Sequence, residues 1–151
     1  MRSGEFVADD FVIPAGLETD RFVLEPLGPQ HNEADYAAWT SSYEHIRATP
    51  GFADGSWPTE LTLAQNRDDL VRHQADFLAR RGFTYTVLDA QTREVIGCVY
   101  LYPARREGFD VSARSWVRRD RAELDIVLWR AVTEWLRASW PWTAPDYASR
   151  G

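Results

Sequence analysis

The chain has 151 residues, a length that suits one domain with one hydrophobic core. Hydrophobic residues make up 44% and charged residues 26%, a composition that excludes disorder, and no apolar run approaches the roughly 20 residues that span a bilayer. The net charge of −6 argues against nucleic acid or an anionic membrane as a partner. A single cysteine excludes a disulfide framework and a cysteine-rich zinc site.

The chain is predicted to contain one folded domain with a short segment at each end. Residues 1–10 lack the basic start and apolar core of a signal peptide, and we expect residues 1–20 to form a flexible N-terminal segment. Without a recognised export signal or disulfide, a cytoplasmic location is expected. The domain is predicted over residues 21–142, followed by a C-terminal tail at residues 143–151.

The first half of the domain predicts one strand and two helices. Residues 21–27 alternate and read as a strand, and residues 31–46 place aromatic side chains at helical spacing. A capping box at residues 62–65 begins a second helix that ends near Gly82, because the threonine can accept from a free N–H while the glutamine reaches back. The apolar face of that helix is expected to contain Leu63, Leu70, Val71, Gln74, Phe77 and Leu78.

The second half predicts three strands and a long helix. Residues 83–89 and 95–102 form a hairpin around a polar turn, and residues 109–119 follow as a third strand. An apolar stripe over residues 124–136 predicts a helix that Pro141 ends. The order β-α-α-β-β-β-α therefore predicts an α+β fold with a mostly antiparallel central sheet and helices on both faces.

This order, with the residues of three segments, resembles the GNAT superfamily of acyl-CoA N-acyltransferases. Residues 21–27 (RFVLEPL) look like the opening strand of that family, and residues 95–101 (VIGCVYL) look like its central strand. Trp116 and Val117 lie where the family's fourth strand precedes the cofactor loop. The resemblance covers roughly residues 20–142. It implies an N-acetyltransferase that moves an acetyl group from acetyl-CoA to an amine of a small molecule or a peptide.

The resemblance also implies a cofactor site at the end of the third hairpin strand. In the family, this strand edge pairs with the pantetheine arm, and the pyrophosphate lies on free N–H groups where the next helix begins. Glu123 and Asp125 stand where the family has glycines, and their negative charge argues against a bound phosphate. The arginines nearby either favour a phosphate or form a solvated charged turn. The implied contacts are Ser115, Trp116, Val117, Arg118, Arg119, Arg121 and Ala122.

Acylation of an amine requires a base that removes a proton. Asp110 on the third strand is expected to be this base or to anchor the amine, and Tyr100 is a second catalytic candidate that could instead be a half-buried aromatic residue. His73 is expected to be solvated, and the three histidines are too scattered for a metal site. The expected acceptor pocket, or alternatively a set of core and loop anchors, contains Trp39, Tyr43, Phe52 and Trp57.

Two structural and two functional alternatives stay open. Residues 143–151 are too few for the strand and helix that complete the family's cleft, so either the domain is a short variant or a second copy in a homodimer completes the sheet. One alternative function is a degenerate member that binds a ligand or a partner without catalysis. The other is an unrelated α+β fold whose aromatic groove binds a small apolar ligand.

Overall fold

The computed structural model describes residues 5–151, which contain a six-stranded sheet in the order β1-β2-β3-β4-β5-β6. The pairs are antiparallel except for β5 with β6, which are parallel. The α+β class and the mostly antiparallel sheet are thus confirmed. The strands are β1 (Leu17–Glu18), β2 (Phe22–Pro26), β3 (Phe83–Asp89), β4 (Val95–Pro103), β5 (Val111–Val117) and β6 (Pro145–Tyr147), and the α-helices are α1 (Asn32–Thr40), α2 (Tyr43–Arg47), α3 (Leu63–Leu78) and α4 (Leu124–Ser139).

Helices cover both faces of the sheet, as predicted. The apolar stripe of α4 packs against one face through side chains that include Leu128 and Val132. On the other face, Trp39 of α1 and Leu70 of α3 pack with Trp116 of β5. Because successive strand residues point to opposite faces, β4 and β5 contribute to both cores.

The helix predicted over residues 31–46 is two helices, and that prediction was wrong. A 3-10 turn at residues 29–31 precedes α1, and Ser42 between α1 and α2 has φ −126° and ψ 21°, outside the helical region. The hydroxyl of Thr40 donates to the carbonyl of Tyr36 at 2.6 Å, and that of Ser41 donates to Ala38 at 2.8 Å. Such side-chain bonds compete with the backbone ladder, which accounts for the break.

The predicted start of α3 is confirmed, but its predicted apolar face is partly wrong. Thr62 Oγ1 accepts from the backbone N–H of Gln65 at 3.1 Å, and Gln65 Oε1 accepts from the N–H of Thr62 at 2.8 Å. Leu63, Val71 and Leu78 are exposed. The inward face instead follows the spacing of Asn66, Leu70, His73 and Phe77, because two polar side chains find partners there.

Two short strands at the ends of the chain were missed. Strand β1 pairs with β2, and the segment before it is held by the Arg80 guanidinium, which donates to the carbonyls of Ala8 and Phe11. Strand β6 lies within the predicted tail and pairs with the first three residues of β5. Residues 1–4 of the segment expected to be flexible lie outside the described residues.

Candidate functional site

A cleft of about 860 Å³ opens on the sheet face that carries α1 and α3. Its floor comes from alternate residues of two paired strands, since Tyr100 lies opposite Arg114 and Tyr102 lies opposite Ser112. Its walls come from α3 and from the loop after α2. The residues used below that line it are Asp35, Asp54, Trp57, Asn66, Asp69, Arg72, His73, Asp76, Tyr100, Tyr102, Arg105 and Arg114.

A chain of hydrogen bonds joins three side chains in this cleft. The Tyr102 hydroxyl donates to Asp76 Oδ2 at 2.8 Å, and the same hydroxyl oxygen lies 2.9 Å from His73 Nδ1. Because the single proton of the hydroxyl is given to the carboxylate, its oxygen is left to accept from Nδ1–H. Thr84 Oγ1 also lies 3.1 Å from Nδ1. This arrangement places the proton of the neutral ring on Nδ1 and leaves Nε2 with a free lone pair.

His73 is neutral at physiological pH in this environment. Burial is the main reason that its pKa is lowered to about 4; the positive charges of Arg72 and Arg114 contribute to the lowering, and Asp76 opposes it. No hydrogen bond engages Nε2 among residues 5–151. An uncharged imidazole with an open nitrogen can take a proton from a bound amine. The expectation of a solvated His73 was wrong, because β3 and β4 cover Nδ1.

A second buried polar group lies beside the cleft. Asn66 Nδ2 donates to Asp35 Oδ2 at 3.1 Å and to Asn32 Oδ1 at 2.9 Å, while Asn66 Oδ1 accepts from Trp39 Nε1 at 3.0 Å. Burial raises the pKa of Asp35 to about 6, although the hydrogen bond from Asn66 lowers it. The network fixes α1 against α3 and places a titratable carboxyl in the cleft wall.

The four aromatic residues expected to form the acceptor pocket lie together. Trp57 lines the cleft, and its ring centroid lies 5.4 Å from that of Trp39 and 6.0 Å from that of Phe52. Trp39 and Phe52 are buried behind it, while Tyr43 is half-buried and packs on Trp39. The pocket surface is therefore presented by Trp57 and supported by the other three.

The two residues expected to be catalytic lie in different places. Tyr100 lines the cleft, its hydroxyl accepts from Trp116 Nε1 at 2.9 Å, and burial raises its pKa, so it stays protonated. The carboxylate of Asp110 accepts from the backbone N–H groups of Thr143 at 2.8 Å and Ala144 at 3.1 Å. It holds the start of β6 against β5 and does not line the cleft.

The strand edge that the resemblance assigns to a cofactor lies at the far end of β5. Pairing with β6 stops at Ala113 and Tyr147, whereas β5 continues to Val117. Ser115 Oγ lies 2.6 Å from the Tyr147 hydroxyl, and the carbonyl of Ser115 accepts from Arg150 Nη2 at 2.8 Å. Arg150 also donates from Nε to Asp125 Oδ2 at 2.8 Å, and its side chain is only 3% exposed.

Two of the three arginines expected to hold phosphate are already paired. Arg118 contacts Asp120 at 2.7 Å, and Arg121 Nη2 lies 3.5 Å from Asp89. Glu94 lies 3.7 Å from Arg118 and 3.6 Å from Arg121. Arg119 is exposed, and its guanidinium has no ion pair among the described residues. Arginines bound to carboxylates have fewer N–H groups to offer an anion.

The residues present fit a CoA thioester unevenly. Beyond Ala113 the edge of β5 has no strand partner in the described residues and offers backbone groups to an extended chain, apart from the Ser115 carbonyl, which Arg150 occupies. Trp116 joins this edge to the cleft through Tyr100. At the start of α4, Ala122 and Glu123 are exposed, the Glu123 side chain caps no N–H group, and Asp125 brings a further negative charge. The strand edge thus fits pantetheine, and Arg119 is the unpaired cation for phosphate in the described loop.

Two further features are absent from residues 5–151. No group of three or more His, Cys, Asp or Glu side chains is arranged there to hold a metal ion. None of the helices in that part of the chain combines the length and apolar character needed to cross a lipid bilayer.

Sequence reasoning missed three of the residues that build the cleft chemistry, namely His73, Asp76 and Arg114. One signal was available, because His73 lies on the same helical stripe as Asn66, Leu70 and Phe77. A polar residue within a buried stripe indicates a specific partner, since burying a polar group without one is costly.

Comparison with known proteins gives a match at the level of structure. No family model and no curated protein sequence matches the chain. A solved structure from Bordetella pertussis, assigned to the GNAT acetyltransferase family, aligns at 25% identity and a TM-score of 0.54, covering 83% of this chain and 74% of that one.

Two further structures carry CoA ligands. The microcin C7 self-immunity acetyltransferase MccE, in complex with acetyl-CoA and AMP, aligns at 11% identity and a TM-score of 0.61, covering 85% of this chain and 68% of that one. The ribosomal L7/L12 acetyltransferase RimL, in complex with CoA, aligns at 11% identity and a TM-score of 0.59, with coverages of 83% and 67%. The chain therefore has the fold of the GNAT superfamily of acetyltransferases.

Proposed function

We propose that this chain is an N-acyltransferase that moves an acetyl group from acetyl-CoA to an amine bound in the cleft. The observation that carries the proposal is the hydrogen-bonded chain from Asp76 through Tyr102 to His73. It leaves a neutral imidazole nitrogen open in a cleft whose floor leads along β5 to a free strand edge. The similarity to MccE and RimL, which are seen with acetyl-CoA and CoA, supports the choice of donor.

His73 is the proposed general base. An alkylamine is protonated in water at neutral pH and must lose a proton before its nitrogen can attack a carbonyl carbon. That first proton passes to water. As the nitrogen bonds to the carbonyl carbon, with the CoA thiolate as the leaving group, His73 Nε2 accepts the second proton that the nitrogen loses. Tyr102 and Asp76 act as positioning residues because they keep the ring proton on Nδ1.

The predicted cofactor residues keep their roles within this proposal. Ser115, Trp116 and Val117 would hold the pantetheine arm along β5, and Arg119 would contact phosphate with Arg118, Arg121 and Ala122 around it. When bound, acetyl-CoA supplies the activated acetyl group as a thioester. Tyr100 lines the cleft with its hydroxyl protonated, and its predicted catalytic role stays part of this proposal. The placement of Asp110 offers no support for a catalytic role.

The direct test of the donor is calorimetric titration of acetyl-CoA and CoA into the purified chain. Binding is expected, and Arg119→Gln should weaken it because a phosphate contact is lost. Arg67→Gln on the exposed side of α3 is the matched control and should leave binding unchanged. No heat at millimolar ligand would sink the enzyme proposal.

The second candidate is a GNAT-fold protein without catalysis that binds a ligand or a partner. Three observations favour it, namely the Arg150 side chain on the Ser115 carbonyl, the ion pairs of Arg118 and Arg121, and Glu123 at the start of α4. Under this alternative, neither acetyl-CoA nor CoA binds, whereas ligands still bind in the cleft between α3 and the sheet. The same titration therefore separates the two candidates.

A further inference from the structure

Arg114 stands out among the arginines of the cleft. It lies on β5 opposite Tyr100, and its guanidinium carbon lies 5.0 Å from the Phe52 ring centroid and 5.6 Å from that of Tyr100. No ion pair within 4 Å involves Arg114 in the described part of the chain. By contrast, Arg72, on the opposite wall of the cleft, is paired with Asp69.

The carboxylate that could neutralise Arg114 is engaged elsewhere. Asp54 Oδ1 accepts from the N–H and the hydroxyl of Ser56 at 3.0 and 2.9 Å. These bonds are the main reason that the pKa of Asp54 is lowered, and Arg114 and Arg105 contribute less. Arg114 is therefore close enough to act on Asp54 but not paired with it.

Stacking on aromatic rings holds a guanidinium flat and leaves its N–H groups to one side. A planar cation held in this way is prepared to grip a carboxylate or a phosphate through two parallel hydrogen bonds. The rings also limit the side-chain motion that a flexible arginine would lose on binding. Arg114 thus has the position and the free donors of an anion-recognition residue.

The side of the cleft across Tyr100 from Arg114 carries a base, His73. His73 lies 5.7 Å from the Tyr100 ring, measured between ring centroids, and Arg114 lies on the neighbouring strand beside the same ring. Asp69 and Asp76 lie around His73 and are paired, Asp69 with Arg72 at 3.4 Å and Asp76 with Arg81 at 3.1 Å. A ligand that lies across Tyr100 would meet the open nitrogen of His73 on one side and the unpaired guanidinium of Arg114 on the other.

We propose that the acceptor is a small amine that also bears an anionic group, a carboxylate or a phosphate, which Arg114 binds while the amine lies at His73. This inference rests on the proposed function for the identity of the reacting group. It goes beyond it by assigning Arg114 as the residue that selects the substrate class. Trp57 and Tyr100 would contact the part of the ligand between its two charged ends.

The test measures binding rather than turnover. Two pairs of probes are titrated by calorimetry. The carboxylate arm compares N-acetylphenylalanine with its uncharged amide, and the phosphate arm compares phosphoethanolamine with ethanolamine. In at least one arm the probe with the anionic group should bind about tenfold or more tightly than the matched probe without it, and the arm that does so identifies the anion.

Variants assign the preference to Arg114. Arg114→Gln should remove the preference for the anionic probe. Arg114→Lys should keep part of the preference, because the positive charge remains while the two parallel N–H donors of the guanidinium are lost. Arg67→Gln should leave the preference intact. Thermal melting of each variant checks that it is folded. Equal binding of the probes with and without the anionic group in both arms would overturn the inference, as would an unchanged preference in folded Arg114→Gln. Because these titrations need no acetyl-CoA, the anion site can fail or hold separately from the acyl-transfer proposal.

Discussion

The hydroxyl of Tyr102 lies 2.9 Å from Nδ1 of His73, and this contact fixes which nitrogen of the ring is open. Tyr102 is oriented by its hydrogen bond to Asp76, so a strand residue and two helix residues act as one unit. The unit exists because Tyr102 points to the same sheet face as Tyr100, where α3 crosses the sheet. The chemistry proposed here depends on that crossing.

Replacement of His73 by Asn should reduce kcat by about 10²-fold to 10⁴-fold, the range that removal of a general base produces. KM for the amine should change little, because His73 acts on a proton rather than holding the acceptor. Steady-state kinetics with acetyl-CoA measures both constants. Tyr102→Phe is the comparison, and it should give a smaller loss of kcat, since Thr84 still contacts Nδ1. Equal activity of His73→Asn and the unmodified chain would remove His73 from the mechanism.

Asp35 and His73 should give opposite contributions to stability as the pH changes. Asp35 has a pKa of about 6 in the folded chain against 3.8 for an ordinary carboxyl, so between these values the folded state binds its proton more strongly and stability falls as pH rises. His73 has a pKa of about 4 against 6.5, so in nearly the same interval stability rises with pH.

Asp35→Asn should therefore steepen the rise of stability with pH. From about pH 4 to pH 6 the variant should gain up to about 3 kcal/mol relative to the unmodified chain, because one pKa unit corresponds to about 1.4 kcal/mol. The free energy of unfolding from denaturant titrations at several pH values measures this. Asp68→Asn on the exposed side of α3 is the control. Parallel pH curves for Asp35→Asn and the unmodified chain would show that Asp35 is not the buried acid described here.

The Arg150–Asp125 pair should contribute to stability, unlike the exposed pair on α4. A double-mutant cycle with Arg150→Ala and Asp125→Asn should give a coupling free energy of about 1–3 kcal/mol, because Arg150 is buried and bonds a charged partner. The matched cycle with Glu134 and Arg137, whose side chains are 62% and 72% exposed, should give no measurable coupling. Similar coupling in the two pairs would mean that the Arg150 contacts do not persist in solution.

Thr62→Ala should lower the free energy of unfolding by about 1 kcal/mol, since the side chain that accepts from the Gln65 N–H is lost. Thr59→Ala, three residues earlier in an exposed loop, should change stability little. Denaturant titration of the two variants compares them. A loss that is the same in both would show that the capping box is not what begins α3.

The parts of the fold that depend on local sequence could be predicted. The β3–β4 hairpin and the Thr62 cap follow from patterns within a few residues, and both match the structure. The split between α1 and α2 was not visible, because it depends on whether Thr40 and Ser41 turn back to bond their own helix. Strand β6 was missed because it is three residues long and its partner β5 lies on the other side of α4 in sequence.

The candidate site was harder to predict, because its residues meet only through tertiary structure. Leu63 and Val71 look like core residues from spacing alone, yet they are exposed, whereas the polar His73 is turned inward by its bond to Tyr102. Asp110 was chosen for its place on a strand, but its carboxylate is used by the backbone of residues 143–144. In each case the role of the side chain depends on its tertiary contacts, which the sequence pattern does not reveal.

The central claim is acyl transfer from acetyl-CoA to an amine with His73 as the base. It is tested most directly by release of free CoA thiol from acetyl-CoA in the presence of a panel of small amines, with mass spectrometry of the amine. We expect thiol release that depends on both the amine and His73, with the product heavier by one acetyl group. Absence of acetylated amine across the panel, or the same rate in His73→Asn, would contradict the account.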